Sequence, residues 1–205
     1  MSSEFSESAG NATDPADELL RLLSRAQRLE DLPRSGWLPA GVDDPESVAS
    51  HSWEVVVVTL WLADRSERDV DVERAVRIAV VHDIAEALVT DLPRPVKELV
   101  GVDAVAEAEA EAADQLLGAL PEDWRQAHEA YQRRSSIEAK LVKAADRLQM
   151  YAKALQYDSQ HRGDVERFWD GGGPAMPDEL PLARRIARRL VERHESGEWF
   201  PNDFS

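Results

Sequence analysis

His82 and Asp83 form the doublet on which the chemistry of this sequence turns, because both lie in a stretch otherwise built of Val, Ile and Ala. Burying an imidazole beside a carboxylate on an apolar helix face costs free energy unless something satisfies both. A divalent metal does so: it neutralises the carboxylate and accepts a lone pair from the imidazole. Adjacent helix residues project about 100° apart, so an ion shared by the doublet must sit against a second helix. Two further segments offer what is missing. His51 recurs at helical spacing with Val48, Val55, Val58 and Leu62, and Asp146 stands amid Val142, Ala144, Ala145 and Leu148. Two imidazoles and two carboxylates suit Mn, Fe, Co, Ni or Zn better than calcium, and leave positions open for water and a phosphate oxygen.

Each of these residues also has a plainer reading. A single interior histidine is more often a hydrogen-bonded core residue, and a single buried aspartate is more often a cap or an ion-pair partner. The case rests on the ordered set His51, His82–Asp83, Asp146, each member on an apolar helix, with a further acid one turn on. That acid is Glu86, three residues after Asp83 and four after His82, on the same helical face. Asp91 follows in TDLPRP. Carboxylates beside a metal site are natural general acid–base groups for hydrolysis; a solvated glutamate and a turn-capping aspartate are the alternatives. His128 sits in the polar stretch PEDWRQAHEAY and reads as a surface histidine, which makes the expected site mononuclear. His161 and His194 lie in charged, exposed-looking surroundings.

The elements that must position these residues are helical. After a leader from Met1 to about Pro15, rich in Ser, Glu, Gly and Asn and read as disordered, Leu19, Leu20, Leu22, Leu23 and Ala26 give one helix an apolar side. A turn-rich stretch, 32–45, follows. The next helix starts near Pro45, with Asp44 or Ser47 as its cap. Another opens at Asp71 and carries Ala75, Ile78, Ala79, His82, Ala85 and Glu86 along one stripe to about Thr90, where Pro93 and Pro95 enforce the exit. Further helices are predicted over 103–120, from Pro121 to about 134, over 136–157 and over 182–194. The domain is read as 16–196, with a loose tail at 197–205. No two-residue alternation marks a strand, and no glycine loop of the P-loop or dinucleotide type is present. The fold class is all-α, a compact helical bundle.

Composition narrows the function. The 205 residues carry a net charge of −16 and no cysteine. Such acidity opposes extended binding along a nucleic-acid polymer, yet leaves a small phosphorylated substrate open, because that needs only a metal and one or two basic side chains. Cysteine-ligated zinc and thiol nucleophiles are excluded, and a cytoplasmic location fits. No apolar run approaches the ~18–20 residues of a membrane helix, and the N-terminus is not a signal peptide.

The segments PRSGW (33–37), PESVASHS (45–52), VHDIAEALVTDLPRPVK (81–97) and EAKLVKAADRLQMYAKALQY (138–157) together resemble the HD-domain phosphohydrolases, and within them the 5′-deoxynucleotidase branch. The resemblance spans roughly 20–170. It implies a metal on His51, His82, Asp83 and Asp146, and catalytic or substrate-orienting roles for Glu86 and Asp91. It also implies a phosphate contact for Arg34 and a place beside the nucleotide for Trp37. The reaction it implies is removal of the 5′-phosphate from a deoxyribonucleoside monophosphate by one divalent transition metal, in a protein often found as a homodimer. The helices over 103–120 and 182–194 are candidates to pair two subunits, against the alternative of solvated faces. Thr90 departs from the family, which often carries glycine just before the aspartate. Lys97 and Arg94 are read as surface charge rather than part of the site. The rival expectations are an HD-domain hydrolase of another phosphate ester or diester, and a non-catalytic nucleotide-binding scaffold.

Overall fold

The computed structural model describes residues 14–197. Along the chain come α1 (Pro15–Ala26), α2 (Arg28–Asp31), α3 (Val48–Ala63), α4 (Val72–Val81), α5 (Glu86–Val89), α6 (Arg94–Val100), α7 (Val102–Leu117), α8 (Glu122–Arg133), α9 (Ile137–Ser159) and α10 (Pro181–Ser196). Tight 3-10 turns lie at Ser35–Ala40 and Glu166–Phe168. Among the described residues there is no strand; an isolated antiparallel bridge joins Pro33 to Ser47. The all-α expectation holds. The leader and tail expected at the two ends fall almost wholly outside the described residues.

α3 and α9 pack against each other, α4 crosses both, α8 covers α4, and α10 lies along α9. Val48, Val55 and Leu62 of α3, Ile78 and Val81 of α4, and Leu141, Val142 and Leu148 of α9 are buried where these helices meet. Each contributes on the order of 1.5–3 kcal/mol of burial. Ala139, Ala144 and Ala145 on the inner side of α9 are buried too. Their small side chains let the neighbouring helices approach closely enough for His51, His82 and Asp146 to converge. The starts are set by side-chain caps: Ser47 accepts from the Ser50 N–H, Asp71 from that of Arg74 and Ser136 from that of Ala139. Each cap is worth about 1 kcal/mol.

The structure departs from the sequence reading in three places. The helix expected from Asp71 to Thr90 stops at Val81 and resumes only at Glu86. The His82 ring occupies the Ala79 carbonyl at 2.7 Å, the acceptor that residue 83 would use in a continuing helix. The backbone then tightens into three-residue steps, Ile84 to Val81, Glu86 to Asp83 and Ala87 to Ile84, each 3.1 Å. α1 buries none of its side chains, and Leu19, Leu20 and Leu23 stay exposed. α6, for which no helix was expected, forms because Pro93 and Pro95, read as the exit of the preceding helix, both stand at its entrance, where a missing N–H costs nothing.

Candidate metal centre

His51 reaches the centre from α3, His82 and Asp83 from the turn after α4, and Asp146 from α9. The two imidazoles are fully buried. His51 Nε2 lies 3.4 Å from His82 Nε2. Asp83 Oδ2 is 3.3 Å from His82 Nε2 and 3.6 Å from His51 Nε2. These three atoms form a tight cluster of possible metal ligands. Asp146 borders it through His51 Nε2, 3.3 Å from its Oδ1.

The hydrogen bonds behind the rings decide where their protons sit. Gln149 Nε2 donates to Glu46 Oε2 at 2.7 Å and to Glu54 Oε2 at 2.8 Å. The amide oxygen is therefore turned to His51 Nδ1, 2.6 Å away, and that nitrogen must donate. His82 Nδ1 likewise donates to the Ala79 carbonyl. Both Nε2 atoms are left to present lone pairs to each other and to a carboxylate oxygen. Three such atoms at this spacing repel unless a cation lies among them, so the donor set fits a divalent metal held at the usual ~2.0–2.2 Å from nitrogen and oxygen. Asp146 is oriented in the same way. Its Oδ2 accepts from the Tyr131 hydroxyl and from Lys143 Nζ, both at 2.7 Å, which leaves Oδ1 for the centre.

The charges respond to this crowding. Burial works to lower the His82 pKa, but the Asp83 and Asp146 carboxylates outweigh it and the net shift is upward. Burial works to raise Asp83 and Asp146, yet both are held below the ordinary carboxylate range, Asp83 by His82, Arg34 and His51, and Asp146 by Lys143 and the two histidines. Glu86 goes the other way: burial, with Asp83 and Asp91 close by, pushes its carboxyl up to about 10.

Arg34 ties the acids together. Its Nη1 lies 3.1 Å from Asp83 Oδ2, 3.7 Å from Glu86 Oε1 and 3.8 Å from Asp91 Oδ1. The short bridge next to α3 sets its position, with the Arg34 N–H donating to the Glu46 carbonyl at 2.9 Å. Asp91 is fixed from the next residue: its Oδ2 accepts from the Ser35 N–H at 2.8 Å, and Ser35 Oγ donates to its carbonyl at 2.6 Å. To place Asp91 there, Thr90 adopts φ 66° and ψ 163°, a conformation that glycine takes freely and a β-branched residue only under strain.

The HD-domain family matches residues 26–170 of this sequence. The chain belongs to that family. The human protein named 5′-deoxynucleotidase HDDC2 is 35% identical over 162 residues, 76% of each chain. The fission yeast 5′-deoxynucleotidase hdd1 is 30% identical over 162 residues, 75% of this chain and 80% of that one. Among solved structures, the PH0347 protein of Pyrococcus horikoshii superposes with a TM-score of 0.70 at 34% identity, covering 83% of this chain and 99% of that one.

In this HD domain the structure brings His51, His82, Asp83, Asp146, Arg34, Glu86 and Asp91 together, and leaves Trp37 out. Trp37 was expected beside a nucleotide, but it is only 3% exposed, packs edge-on against Tyr157 and against Phe168, and donates its indole N–H to Glu46 Oε1 at 3.2 Å. It is a core residue beneath the Arg34 turn. His128, expected on the surface, is buried with Nε2 unpartnered among the described residues, and burial lowers its pKa. The polar sequence of α8 concealed this because Ala127, Ala130 and Tyr131 turn the same side toward α4. His161 is exposed as expected, whereas His194 stacks on Trp169 at 4.3 Å. Lys97 pairs with Glu109 and Arg94 with Glu98, so both act as local ion-pair partners. Sequence reasoning missed Gln149, Tyr131 and Lys143. Only Lys143, one turn before Asp146, left a local signal. A cavity of about 700 Å³ lies elsewhere, beside Trp61, Leu141 and Leu180.

Proposed function

We propose that this HD domain is a metal-dependent phosphohydrolase that removes the 5′-phosphate from deoxyribonucleoside monophosphates, with His51, His82, Asp83 and Asp146 holding one divalent transition metal. The observation that carries the reading is the convergence of three lone-pair atoms at 3.3–3.6 Å within reach of one half-buried guanidinium and one carboxyl of raised pKa. The names of the relatives supply the substrate class.

A metal bound there supplies positive charge for a phosphoryl oxygen and makes water a better nucleophile near neutral pH. Arg34 grips the non-bridging oxygens with a planar fork that lysine cannot reproduce, and stabilises the charge that grows as the P–O5′ bond breaks and the water oxygen bonds phosphorus. Glu86 carries the proton that the attacking water loses and the departing O5′ takes up. Its Oε2 is buried with no hydrogen-bond partner among the described residues, so it has a bond left to make with a water admitted to the site. Cationic charge at Asp83 would offset one of the negative neighbours that hold the Glu86 carboxyl at about 10 and so lower it. Asp91, pinned by Ser35, orients the sugar. Positive charge is sparse: Lys143 is committed to Asp146 and Lys97 to Glu109, which suits one phosphate rather than three.

The same reading takes the working unit to be a homodimer and the location cytoplasmic, in keeping with a chain that has no cysteine. Among the described residues no helix is long and apolar enough to cross a membrane.

The test is metal analysis of the purified protein, joined to a phosphate-release screen over deoxy- and ribonucleoside mono-, tri- and cyclic phosphates. Release from deoxynucleoside monophosphates that a chelator abolishes and cobalt or manganese restores is the expected result. A metal-loaded protein that leaves every nucleoside monophosphate intact overturns the reading.

A further inference from the structure

From Val55 to Ala63 α3 is apolar except for Thr59, although only one side faces the core. A helix with that pattern is normally covered all round. Its inner face buries Val48, His51, Val55, Thr59 and Leu62. Its outer face leaves Trp53 67%, Val57 46%, Leu60 38% and Trp61 43% exposed. At helical spacing these four fall within an arc of about 100°, so they form one stripe. They leave on the order of 400 Å² of apolar surface in water, within the range of patches that mark interaction sites.

The geometry points to a second copy of this chain as the occupant, with the two α3 helices packed antiparallel about a two-fold axis through Val57. This rests on the homodimer reading above and assigns it a face. Val57 is the midpoint of the stripe. With the axis there, Trp53 of one copy opposes Trp61 of the other, and Ser50 opposes Asp64. Ser50 and Asp64 are exposed at the two ends of the stripe. The pattern is therefore self-complementary: apolar meets apolar at the centre, and a hydroxyl meets a carboxylate at each rim, as an isologous contact requires. Trp61 is already held, with the Arg65 guanidinium 4.3 Å from its ring centroid. Trp61 also lines the cavity of about 700 Å³ with Leu141 and Leu180, so this pairing would set the opposing Trp53 beside its edge. An aromatic anchor at a pocket is the usual centre of a stable interface. A standard interface takes about 800 Å² from each partner, so the stripe supplies its apolar core and the flanking polar residues its rim. The net charge of −16 opposes pairing at long range, so salt should strengthen it. The helices expected to pair subunits are less suited. α10 already buries Ala183, Ala187 and Leu190, and the exposed side of α7 is lined with glutamate.

Because the chain has no cysteine, one substitution tests the axis directly. Val57→Cys places a thiol opposite its own copy, within the ~4.4–6.8 Å Cα separation a disulfide needs. Mild oxidation should convert it to a covalent dimer, while Leu99→Cys, on an exposed apolar residue of α6, should not cross-link. Light scattering on the full chain should give twice the 22.9 kDa chain mass. Val57→Lys, which sets two cations face to face, should weaken pairing at least about thirtyfold, with its circular dichroism unchanged. A dimer that survives Val57→Lys, or Val57→Cys cross-linking no faster than Leu99→Cys, overturns the face and leaves the homodimer standing. A wild-type chain that stays monomeric at high concentration and high salt overturns both. Phosphate release, measured separately, tells either failure from that of the proposed reaction.

Discussion

On one wall of the metal centre, His51 and Asp146 stand on the long helices α3 and α9; on the other, Asp83, Glu86 and Asp91 lie on the broken stretch that follows α4. The first wall is satisfied to its second layer. Gln149 holds His51 and is itself held by Glu46 and Glu54, while Tyr131 and Lys143 hold Asp146. The second wall keeps unmet demands: a carboxyl pushed up to about 10 with an oxygen unpartnered among the described residues, three acids around one guanidinium, and a threonine at positive φ. Groups that must stay still are locked by hydrogen bonds. Groups that must change protonation are left destabilised, which is how activity comes at a cost in stability.

The largest effect is expected at the joint between the walls. Asp83 Oδ2 touches both histidines and Arg34, so Asp83→Ala should lower phosphate release on the order of 10³-fold or more. Elemental analysis should find the metal lost with it; full metal and full turnover would erase the contrast. Glu86→Gln should keep the metal and lower turnover about 10²- to 10³-fold. It should also stabilise the metal-free protein at pH 8. Between about 4.5 and about 10 the folded chain holds a proton on Glu86 that the unfolded chain has released, so stability falls as pH rises through that window. The amide removes that dependence, and a melting temperature below wild type at pH 8 would contradict it.

On the quiet wall, Gln149→Leu should weaken metal binding about 10- to 100-fold by calorimetry, with turnover at saturating metal near wild type. Unchanged affinity would mean that His51 needs no support. A smaller effect is expected from His82. Its folded pKa is raised, so its contribution to metal-free stability is complete below about 6.5 and is lost as pH rises through the folded value. Melting curves from pH 6 to 9 should fall without metal and flatten when it is bound. The smallest change is Thr90→Gly. Relief of about 1–3 kcal/mol of backbone strain, less the ~0.4–1 kcal/mol of added freedom in the unfolded chain, should leave a gain of about 1 kcal/mol in denaturant unfolding; a loss would show that the threonine side chain matters more than its φ.

Much of this was legible beforehand because it is written in local periodicity. Val48, His51, Val55 and Leu62 share the buried side of α3, and Ser136 opens α9, because apolar spacing and caps act within a few residues of chain. His82, Asp83 and Asp146 could be singled out because a polar group among Val, Ile and Ala demands a partner wherever the chain goes. Thr90 could be marked as a departure from the family, although its positive φ could not be read.

What the residues alone determined is the helical order of the chain and the kind of ion its interior acids and imidazoles ask for, since helix faces and burial costs follow from side-chain type and short-range spacing. Tertiary structure alone decided that Trp37 turns inward, that His128 is buried, that the helix yields at His82, and that Gln149 stands behind His51. Those outcomes depend on partners brought together by packing, such as the 98 residues that separate His51 from Gln149, and no local preference encodes a neighbour that only folding supplies.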